Sequence, residues 1–280
     1  MDKKPSHART VIAYIVLVIL TILCLFFFYI LIINCTRSHQ QIQAGFSFLP
    51  GSSFSKNLNA VIHDAKLPVM SGIRNSLIVS GCCAVLSTYF SALTAYGLYA
   101  YNFKLKKPAF IFIMLILVMP TQVSAMGFIN VITKMGMINT LYPLILPSVA
   151  APAVFYFMYS YMQSSLPLEL VEAARIDGSN EFRTFNRIVL PIMKPALAVQ
   201  AIFAFVSNWN NYFIPALVLQ ENSKRTLPIL IAMLRSADFL KFDMGKVYML
   251  ITIAIVPIII VYIALSKYIV AGVALGGVKE

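Results

Sequence analysis

Charged residues, and acidic ones above all, are scarce in this sequence of 280 residues. Charged side chains account for 11% of the chain, and Asp and Glu together number 10. Hydrophobic residues account for 60%, which is more apolar surface than a soluble fold of this length can bury. A helix that crosses a bilayer needs about 20 mostly apolar residues. The composition therefore excludes an ordinary soluble domain and predicts a polytopic membrane protein.

Metal-binding and catalytic motifs are also missing. The 4 cysteines show no CxxC or Cys/His spacing and the 3 histidines are scattered, so we predict no metal site. H-E-x-x-H, G-x-S-x-G and an aspartate pair within an apolar run are all absent, which disfavours an intramembrane enzyme. The net charge of +12 would suggest nucleic acid in a soluble protein, but here the basic residues lie at membrane borders. We predict neither enzymatic activity nor a nucleic-acid partner.

The chain also lacks what it would need to energise transport alone. No G-x-x-x-x-G-K-[ST] loop occurs, so ATP and Mg²⁺ would have to be bound by another polypeptide, and no cofactor is predicted on this chain. Proton- and sodium-coupled carriers generally keep an ionisable group inside the bilayer. No acidic residue falls within an apolar run, and the basic Lys267 is close enough to a helix end to reach the membrane surface. Secondary transport is therefore disfavoured.

Long apolar runs predict six transmembrane helices in a single all-α domain covering residues 1–280. The runs cover about 11–33, 75–101, 108–133, 140–163, 195–220 and 247–270. The first is too long for a signal-peptide core and no A-x-A-like site follows it, so we expect it to remain as an anchor. Prolines within the runs, including Pro120 and Pro215, predict kinks.

The distribution of Lys and Arg gives a predicted orientation. With the N-terminus inside, twelve basic residues lie on the cytoplasmic side and ten outside. The short loop 102–107 carries three lysines, whereas the loop 134–139 carries only Lys134. We therefore predict that both termini are cytoplasmic. The polar connection 34–74 is then external, and the loop 164–194 is cytoplasmic.

The cytoplasmic loop 164–194 predicts a bent pair of helices. Ser165 is a candidate N-cap for the first helix and Gly178 marks its far end. A second helix is predicted to begin at Ser179 or Asn180. The apolar residues expected to line one side of each helix are Leu170, Val171, Ala174, Phe182, Phe185 and Val189.

Such a surface indicates a partner that covers it. The alternative is an amphipathic hairpin lying on the lipid headgroups, with Glu172 and Arg175 as a weak i, i+3 pair. Asp177 argues mildly against that alternative, because an acid in the last turn opposes the helix dipole.

The residues of this loop resemble a known motif. Glu172-Ala173-Ala174, then Gly178, then Ile188 and Leu190-Pro191 resemble the EAA loop of binding-protein-dependent ABC importer permeases. The resemblance covers nearly the whole chain and is specifically to sugar-type permeases related to maltose permease G. Further matches are Asn75-Ser76-Leu77, Asn139-Thr140, Leu144-Ile145-Leu146-Pro147, Trp209-Asn210 and the tail Gly272 to Lys279. The chain departs from many relatives in ending with Glu280 rather than glycine.

The resemblance implies that the first helix of the loop is a coupling helix that docks on a cytoplasmic ATPase. Glu172 would meet the ATPase, Ala173 and Ala174 would permit close contact, and Gly178 would supply the sharp turn. Asp177, beside Gly178, is included in the same expected site.

The resemblance also implies a set of partners in a bacterial plasma membrane. These are a second and different permease, an ATPase dimer, an extracellular solute-binding protein and a sugar. The Gly276-Gly277 tail is expected to reach the ATPases.

A polar group in the fifth apolar run is the candidate solute pathway. It consists of Asn208, Trp209, Asn210, Asn211 and Tyr212, about 21 Å along the helix from Pro195 at roughly 1.5 Å per residue. Aromatic faces with amide donors and acceptors suit a sugar. Equally, Trp209 and Tyr212 could belong to the interfacial aromatic belt while the asparagines bond to neighbouring helices.

The sequence therefore favours a permease subunit that imports a sugar or oligosaccharide. Two alternatives stay open: the same architecture importing another polar solute, and a membrane scaffold that binds an ATPase without carrying anything.

Overall fold

The computed structural model describes residues 7–64, 67–235 and 243–276 of the chain. Within these ranges the regular structure is helical and no strand occurs, so the predicted all-α fold class is confirmed. The helices are α1 (His7–Cys35), α2 (His39–Gln43), α3 (Phe54–Ile62), α4 (Val69–Ala100), α5 (Lys106–Val118), α6 (Thr121–Lys134), α7 (Tyr142–Ile145), α8 (Pro152–Ser165), α9 (Leu168–Ile176), α10 (Glu181–Thr184), α11 (Leu190–Ile192), α12 (Lys194–Trp209), α13 (Phe213–Val218), α14 (Leu227–Arg235) and α15 (Met244–Gly276).

Four segments in the described ranges are long and apolar enough to cross a membrane alone. They are Arg9–Cys35, Val69–Ala100, Tyr142–Ser165 and Met244–Ser266. Two bent helix pairs raise the count to six if each pair forms one span. The pair α5 and α6 is bent by 101°, and the pair formed by Glu181–Ile192 and α12 is bent by 82°.

Pro120 accounts for the first of these bends. The run 108–133 predicted as one span is divided here, because proline lacks the N–H that would continue the helix and restricts the residue before it. Met119 accordingly has an extended ψ of 126°. The next helix, α6, begins directly after Pro120.

The fifth predicted span, 195–220, is not one helix. Helix α12 ends at Trp209, and α13 begins only at Phe213. In a continuous helix the N–H of residue 215 would donate to the carbonyl of Asn211, but Pro215 has no N–H. The polar group predicted to lie within a helix therefore straddles a break.

The chain divides into two compact units. The first comprises Met1–Leu67 and Ile231–Val256, and the second comprises Pro68–Leu230 and Pro257–Glu280. In the first unit, buried Asn57 fixes the polar connection 34–74, since its Nδ2 donates to the carbonyls of Cys35 and Arg37, each at 2.9 Å.

The second unit is built around α4, which packs against α8 and α12. Small side chains on the buried face of α4 allow this close approach, and Ser80, Ser87 and Ser91 are each at most 3% exposed. Towards one end of α4 a buried cluster joins Tyr96 to Met158, Met162, Phe185 and Val189. This cluster attaches the 164–194 loop to the membrane-spanning helices of the same unit.

Candidate coupling helix and solute pathway

Proline, not serine, sets the start of the first loop helix. Helix α9 begins at Leu168, with Pro167 at the N-cap position, whereas Ser165 is the last residue of α8. The predicted N-cap at Ser165 is therefore wrong. Leu166, which precedes the proline, has an extended ψ of 101°, because a residue before proline is disfavoured from helical conformation.

Gly178 forms the sharp turn at the end of α9. Its φ is +75°, in the left-handed region that favours glycine. The N–H of Gly178 donates to the carbonyl of Arg175 at 3.0 Å, and the N–H of Ser179 donates to that of Ala174 at 2.9 Å. These two bonds make a Schellman motif, which satisfies carbonyls that the helix end would otherwise leave unpaired.

Asn180, one of the two predicted starts, is the N-cap of the second loop helix, which begins at Glu181. The Oδ1 of Asn180 accepts a hydrogen bond from the N–H of Arg183 at 2.8 Å, which is a side-chain N-cap. The chain then continues through α10 and a π-helical turn at Phe185–Val189. Phe185 and Val189 are fully buried, but Phe182, predicted on the same side, is 69% exposed.

One face of α9 is open. Glu172, Ala173, Asp177 and Gly178 are exposed, and Ile176 is 87% exposed. Ala174 is only 5% exposed and packs, with Val171, against its own chain. The two alanines therefore lie on different faces: Ala173 is open to contact, and Ala174 is covered.

Ile176 was not among the residues predicted for the docking surface, whereas Phe182 was one of the apolar residues expected to require a partner. The available signal was the spacing of Leu170, Ala173 and Ile176, which places all three along one side of a helix at intervals of three residues. We name the exposed set Leu170, Glu172, Ala173, Ile176, Asp177 and Phe182 the α9 face.

A polar junction lies behind the α9 face. The Nε of Arg175 is 2.7 Å from Oε1 of Glu181, and the hydroxyl of Tyr96 donates to Oε2 of Glu181 at 2.9 Å. The guanidinium of Arg175 lies 4.9 Å from the ring centroid of Tyr101. Arg175 does not form the pair with Glu172 that belonged to the headgroup alternative, because the turn at Gly178 brings Glu181 into reach instead.

The carboxyl of Glu181 is held ionised by this junction, which we call the Glu181 junction (Tyr96, Tyr101, Arg175 and Glu181). Burial alone would raise the pKa of Glu181, but hydrogen bonds from Arg175, Tyr101 and Tyr96 outweigh it and lower the pKa below the ordinary value. The hydrogen bond from Arg175 to Glu181 in turn raises the pKa of Arg175 above its ordinary value. The pair is therefore fully charged at neutral pH.

Aromatic packing also joins the loop to α4. The ring of Phe185 lies 5.6 Å from the rings of both Tyr89 and Tyr96. The hydroxyl of Tyr89 donates to Oδ1 of Asn186 at 3.2 Å. The second loop helix is thus held to α4 by a buried apolar contact.

The polar group at the end of α12 is divided between a cavity and a packed core. Asn208 and Asn211 line a cavity of about 550 Å³ within the second unit. Trp209 is only 2% exposed and stacks on Phe205, with centroids 5.6 Å apart and an interplanar angle of 18°. Asn210 and Tyr212 are exposed. The structure therefore brings two of the five predicted pathway residues together.

Other polar residues also line the cavity. They are Ser87 of α4, Thr121 and Ser124 of α6, Ser148, and Gln200 and Ser207 of α12. Thr121 and Ser124 reach the cavity from the first turn after the Pro120 bend. Hydropathy gives no signal for them, because their position depends on that bend.

Two asparagines that carried the family resemblance brace the segment after α13. Asn139 has a φ of 63°, and its Oδ1 accepts from the N–H groups of Gln220 and Glu221 at 3.2 and 3.1 Å. The Nδ2 of Asn75 donates to the carbonyls of Ser223 and Arg225 at 2.9 and 3.1 Å. Both side chains therefore form hydrogen bonds with backbone groups of a segment that is distant in the sequence.

The predicted contact of the Gly276-Gly277 tail with an ATPase falls largely outside the described residues, which end at residue 276. The side chain of Lys267 is likewise outside them.

Residues 87–274 match the family described as "binding-protein-dependent transport system inner membrane component". The arabinooligosaccharides transport system permease protein AraQ of Halalkalibacterium halodurans is 37% identical over 205 residues, which cover 73% of this chain and 72% of that protein. The trehalose/maltose transport system permease protein MalG of Thermococcus litoralis is 29% identical over 266 residues, covering 94% of both chains.

A solved structure shares the fold. A chain of a bacterial ABC transporter involved in the import of the acidic polysaccharide alginate aligns with a TM-score of 0.79 at 21% identity, covering 96% of this chain and 99% of that one.

Proposed function

The chain belongs to the binding-protein-dependent transport system inner membrane component family, and from that premise we propose that it carries a sugar or oligosaccharide through an ATP-driven importer. It is a multi-pass membrane protein and a transport permease rather than an enzyme. The relatives named for arabinooligosaccharides and for trehalose and maltose support a carbohydrate as cargo.

In this proposal, ATP hydrolysis on the partner subunit drives this chain through contacts with the α9 face. The observation that carries it is the exposure of Ile176, 87% open at the end of a helix whose opposite face is buried. An isoleucine so exposed, beside the exposed Glu172 and Ala173, is an apolar contact point with a charged rim. Its partner is the ATPase subunit, which holds ATP and Mg²⁺. Glu172 and Asp177 offer carboxylates to the same partner, and Gly178 fixes the angle at which the helix is presented.

The cavity beside α12 is the proposed solute path. Its volume of about 550 Å³ is within the roughly 300–1,000 Å³ of small-molecule sites. The amides of Asn208, Asn211 and Gln200 and the hydroxyls of Ser87 and Thr121 supply donors and acceptors without charge. That lining suits the hydroxyl groups of a neutral sugar.

Two further partners complete the proposed importer. A second, different permease would face this chain across the solute path, and an extracellular solute-binding protein would deliver the sugar. With the α9 face on the cytoplasmic side, both termini are cytoplasmic, as the lysines of the loop 102–107 also favour.

Photocrosslinking tests the docking role. We would place p-benzoylphenylalanine at Ile176 in the full transporter and, as a control, at Leu49, which is 74% exposed in the external connection. We expect the Ile176 probe to capture a nucleotide-hydrolysing subunit and the Leu49 probe not to. Failure of the Ile176 probe in a chain that is well expressed and membrane-inserted would contradict the proposal.

Uptake in a deletion strain tests the cargo. Radiolabelled arabinotriose, raffinose, lactose and maltose would be compared with spermidine and glutamine. We expect uptake of at least one of the sugars to depend on this chain. Dependence of spermidine or glutamine uptake alone would favour a different solute, and ATPase capture without any lost uptake would favour a scaffold.

A further inference from the structure

We propose that the Glu181 junction transmits movement of the docked α9 to α4, and through α4 to the solute cavity. This inference rests on the proposed function, because it assumes that an ATPase binds the α9 face. It assigns Tyr96 and Glu181 as positioning residues for the coupling of ATP hydrolysis to transport.

The geometry of Glu181 makes it a bridge. One carboxylate oxygen binds Arg175 of α9 at 2.7 Å, and the other accepts from Tyr96 of α4 at 2.9 Å. Arg175 and Glu181 lie on opposite sides of the Gly178 turn, so the pair also fixes the angle between α9 and α10. Beside the buried packing of Val171, the side chain of Glu181 therefore gives the exposed helix a polar connection to a membrane-spanning one.

Helix α4 is suited to carry the movement further. It runs for 32 residues and contains no proline, whereas the third and fifth spans are each interrupted. Ser87, which lines the cavity, lies nine residues before Tyr96, or about 14 Å at roughly 1.5 Å per residue. Val79, two turns further on, lines the same cavity. A displacement of Tyr96 along or about the helix axis therefore reaches the cavity wall.

The junction is not needed to hold the loop in place. Phe185 and Val189 are fully buried and already anchor the second loop helix to the core of the unit. The side chains of Arg175 and Glu181 are 36% and 44% exposed, and an exposed ion pair contributes little to folding. What the junction adds to the buried packing of Val171 is a polar link between α4 and α9, the helix that presents the docking surface.

The test uses Tyr96→Phe, which removes one hydroxyl and keeps the buried ring. The matched control is Tyr99→Phe on the same helix, because the Tyr99 hydroxyl donates at 3.0 Å to the carbonyl of Leu166, before α9 begins. The complete transporter, with its second permease, ATPases and binding protein, would be reconstituted in proteoliposomes. Uptake of the sugar identified in the deletion strain and phosphate release would be measured together, with ATPase co-purification as a separate readout.

We expect Tyr96→Phe to lower the sugar transported per ATP hydrolysed by roughly three- to tenfold, with ATPase co-purification unchanged. Tyr99→Phe should keep the wild-type ratio. Glu181→Gln should act like Tyr96→Phe, and the double variant should be no worse than the more damaging single variant, since both act through one contact.

The inference is overturned by an unchanged ratio of sugar transported to ATP hydrolysed in Tyr96→Phe, by an equal fall in Tyr99→Phe, or by additive effects in the double variant. Loss of ATPase co-purification in Tyr96→Phe would also overturn it, because the contact would then support docking itself. A wild-type protein that captures no ATPase contradicts the proposed function instead, so the two failures are distinguishable.

Discussion

Replacing Gly178 with alanine should weaken ATPase binding through backbone strain alone. At a φ of +75° an L-residue with a Cβ is unfavourable by about 1–2 kcal/mol. A Cβ built at this position meets nothing within 4 Å, so steric collision adds nothing to that cost. The strain is relieved when the turn relaxes and α9 changes its angle to α10.

If the whole strain energy is lost from the binding free energy, affinity for the ATPase falls by about 5- to 30-fold, because about 1.4 kcal/mol corresponds to a factor of ten. The measurement is titration of detergent-purified transporter membrane subunits with the ATPase. Gly178→Asn should be milder than Gly178→Ala, because asparagine tolerates the left-handed conformation better.

Gly136 supplies the matched control. Its φ is +67°, and a Cβ there also meets nothing within 4 Å, but it follows α6 in the short loop 134–139. Gly136→Ala should carry a similar strain without affecting ATPase affinity. The reasoning is refuted if Gly178→Ala binds the ATPase as tightly as wild type, or if Gly136→Ala weakens binding equally.

Three further predictions concern the docking face, the cavity and the ion pair. Ile176→Ser should lower ATPase affinity by about 10- to 100-fold, the loss expected for a side chain buried on binding, while thermal unfolding stays unchanged because Ile176 is 87% exposed; a shifted unfolding temperature would contradict this. Asn211→Ala should raise the KM for sugar uptake by about two- to tenfold, because a hydrogen bond to the sugar is lost. Asn210→Ala, at the neighbouring exposed position, should leave the KM unchanged. The same KM in both variants would show that Asn211 does not line the path. Because the pKa of Glu181 is lowered on folding, its carboxylate stabilises the fold above the ordinary carboxyl range, and this contribution is lost as pH falls through the folded pKa. The difference in unfolding temperature between wild type and Glu181→Gln should therefore be constant from about pH 8 to pH 5 and shrink below about pH 4, and a difference that grows on acidification would contradict the assignment.

The existence of the helices and the turn at Gly178 could be predicted from the sequence because both depend on local information. Apolar runs of sufficient length predict spans, and Gly178 marks a left-handed turn whatever surrounds it. Pro215 predicted a kink in the fifth apolar run but not the break between Trp209 and Phe213, because hydropathy remains high on both sides of that break. A proline at 215 interrupts the hydrogen bonding several residues earlier, which a hydropathy window does not register.

Which side of a helix is covered depends on distant residues, and there the sequence alone was insufficient. Ala173 and Ala174 are adjacent and identical, yet only Ala174 is buried. The partner of Glu181 on α4 is 85 positions away in the chain. Asn75 reaches Ser223 across 148 positions. Such contacts are set by the packing of α4 against the other helices, and no local sequence pattern predicts them.

The interruptions at Pro120 and after Trp209 have a consequence for how the second unit moves. A helix with a break can absorb a displacement at that point, since the pieces on either side reorient independently. An unbroken helix has no such hinge and turns as a stiff rod. Alternating exposure of the solute to the two sides of the membrane would then involve α4 rotating as one body, with flexing confined to the two interrupted spans beside it.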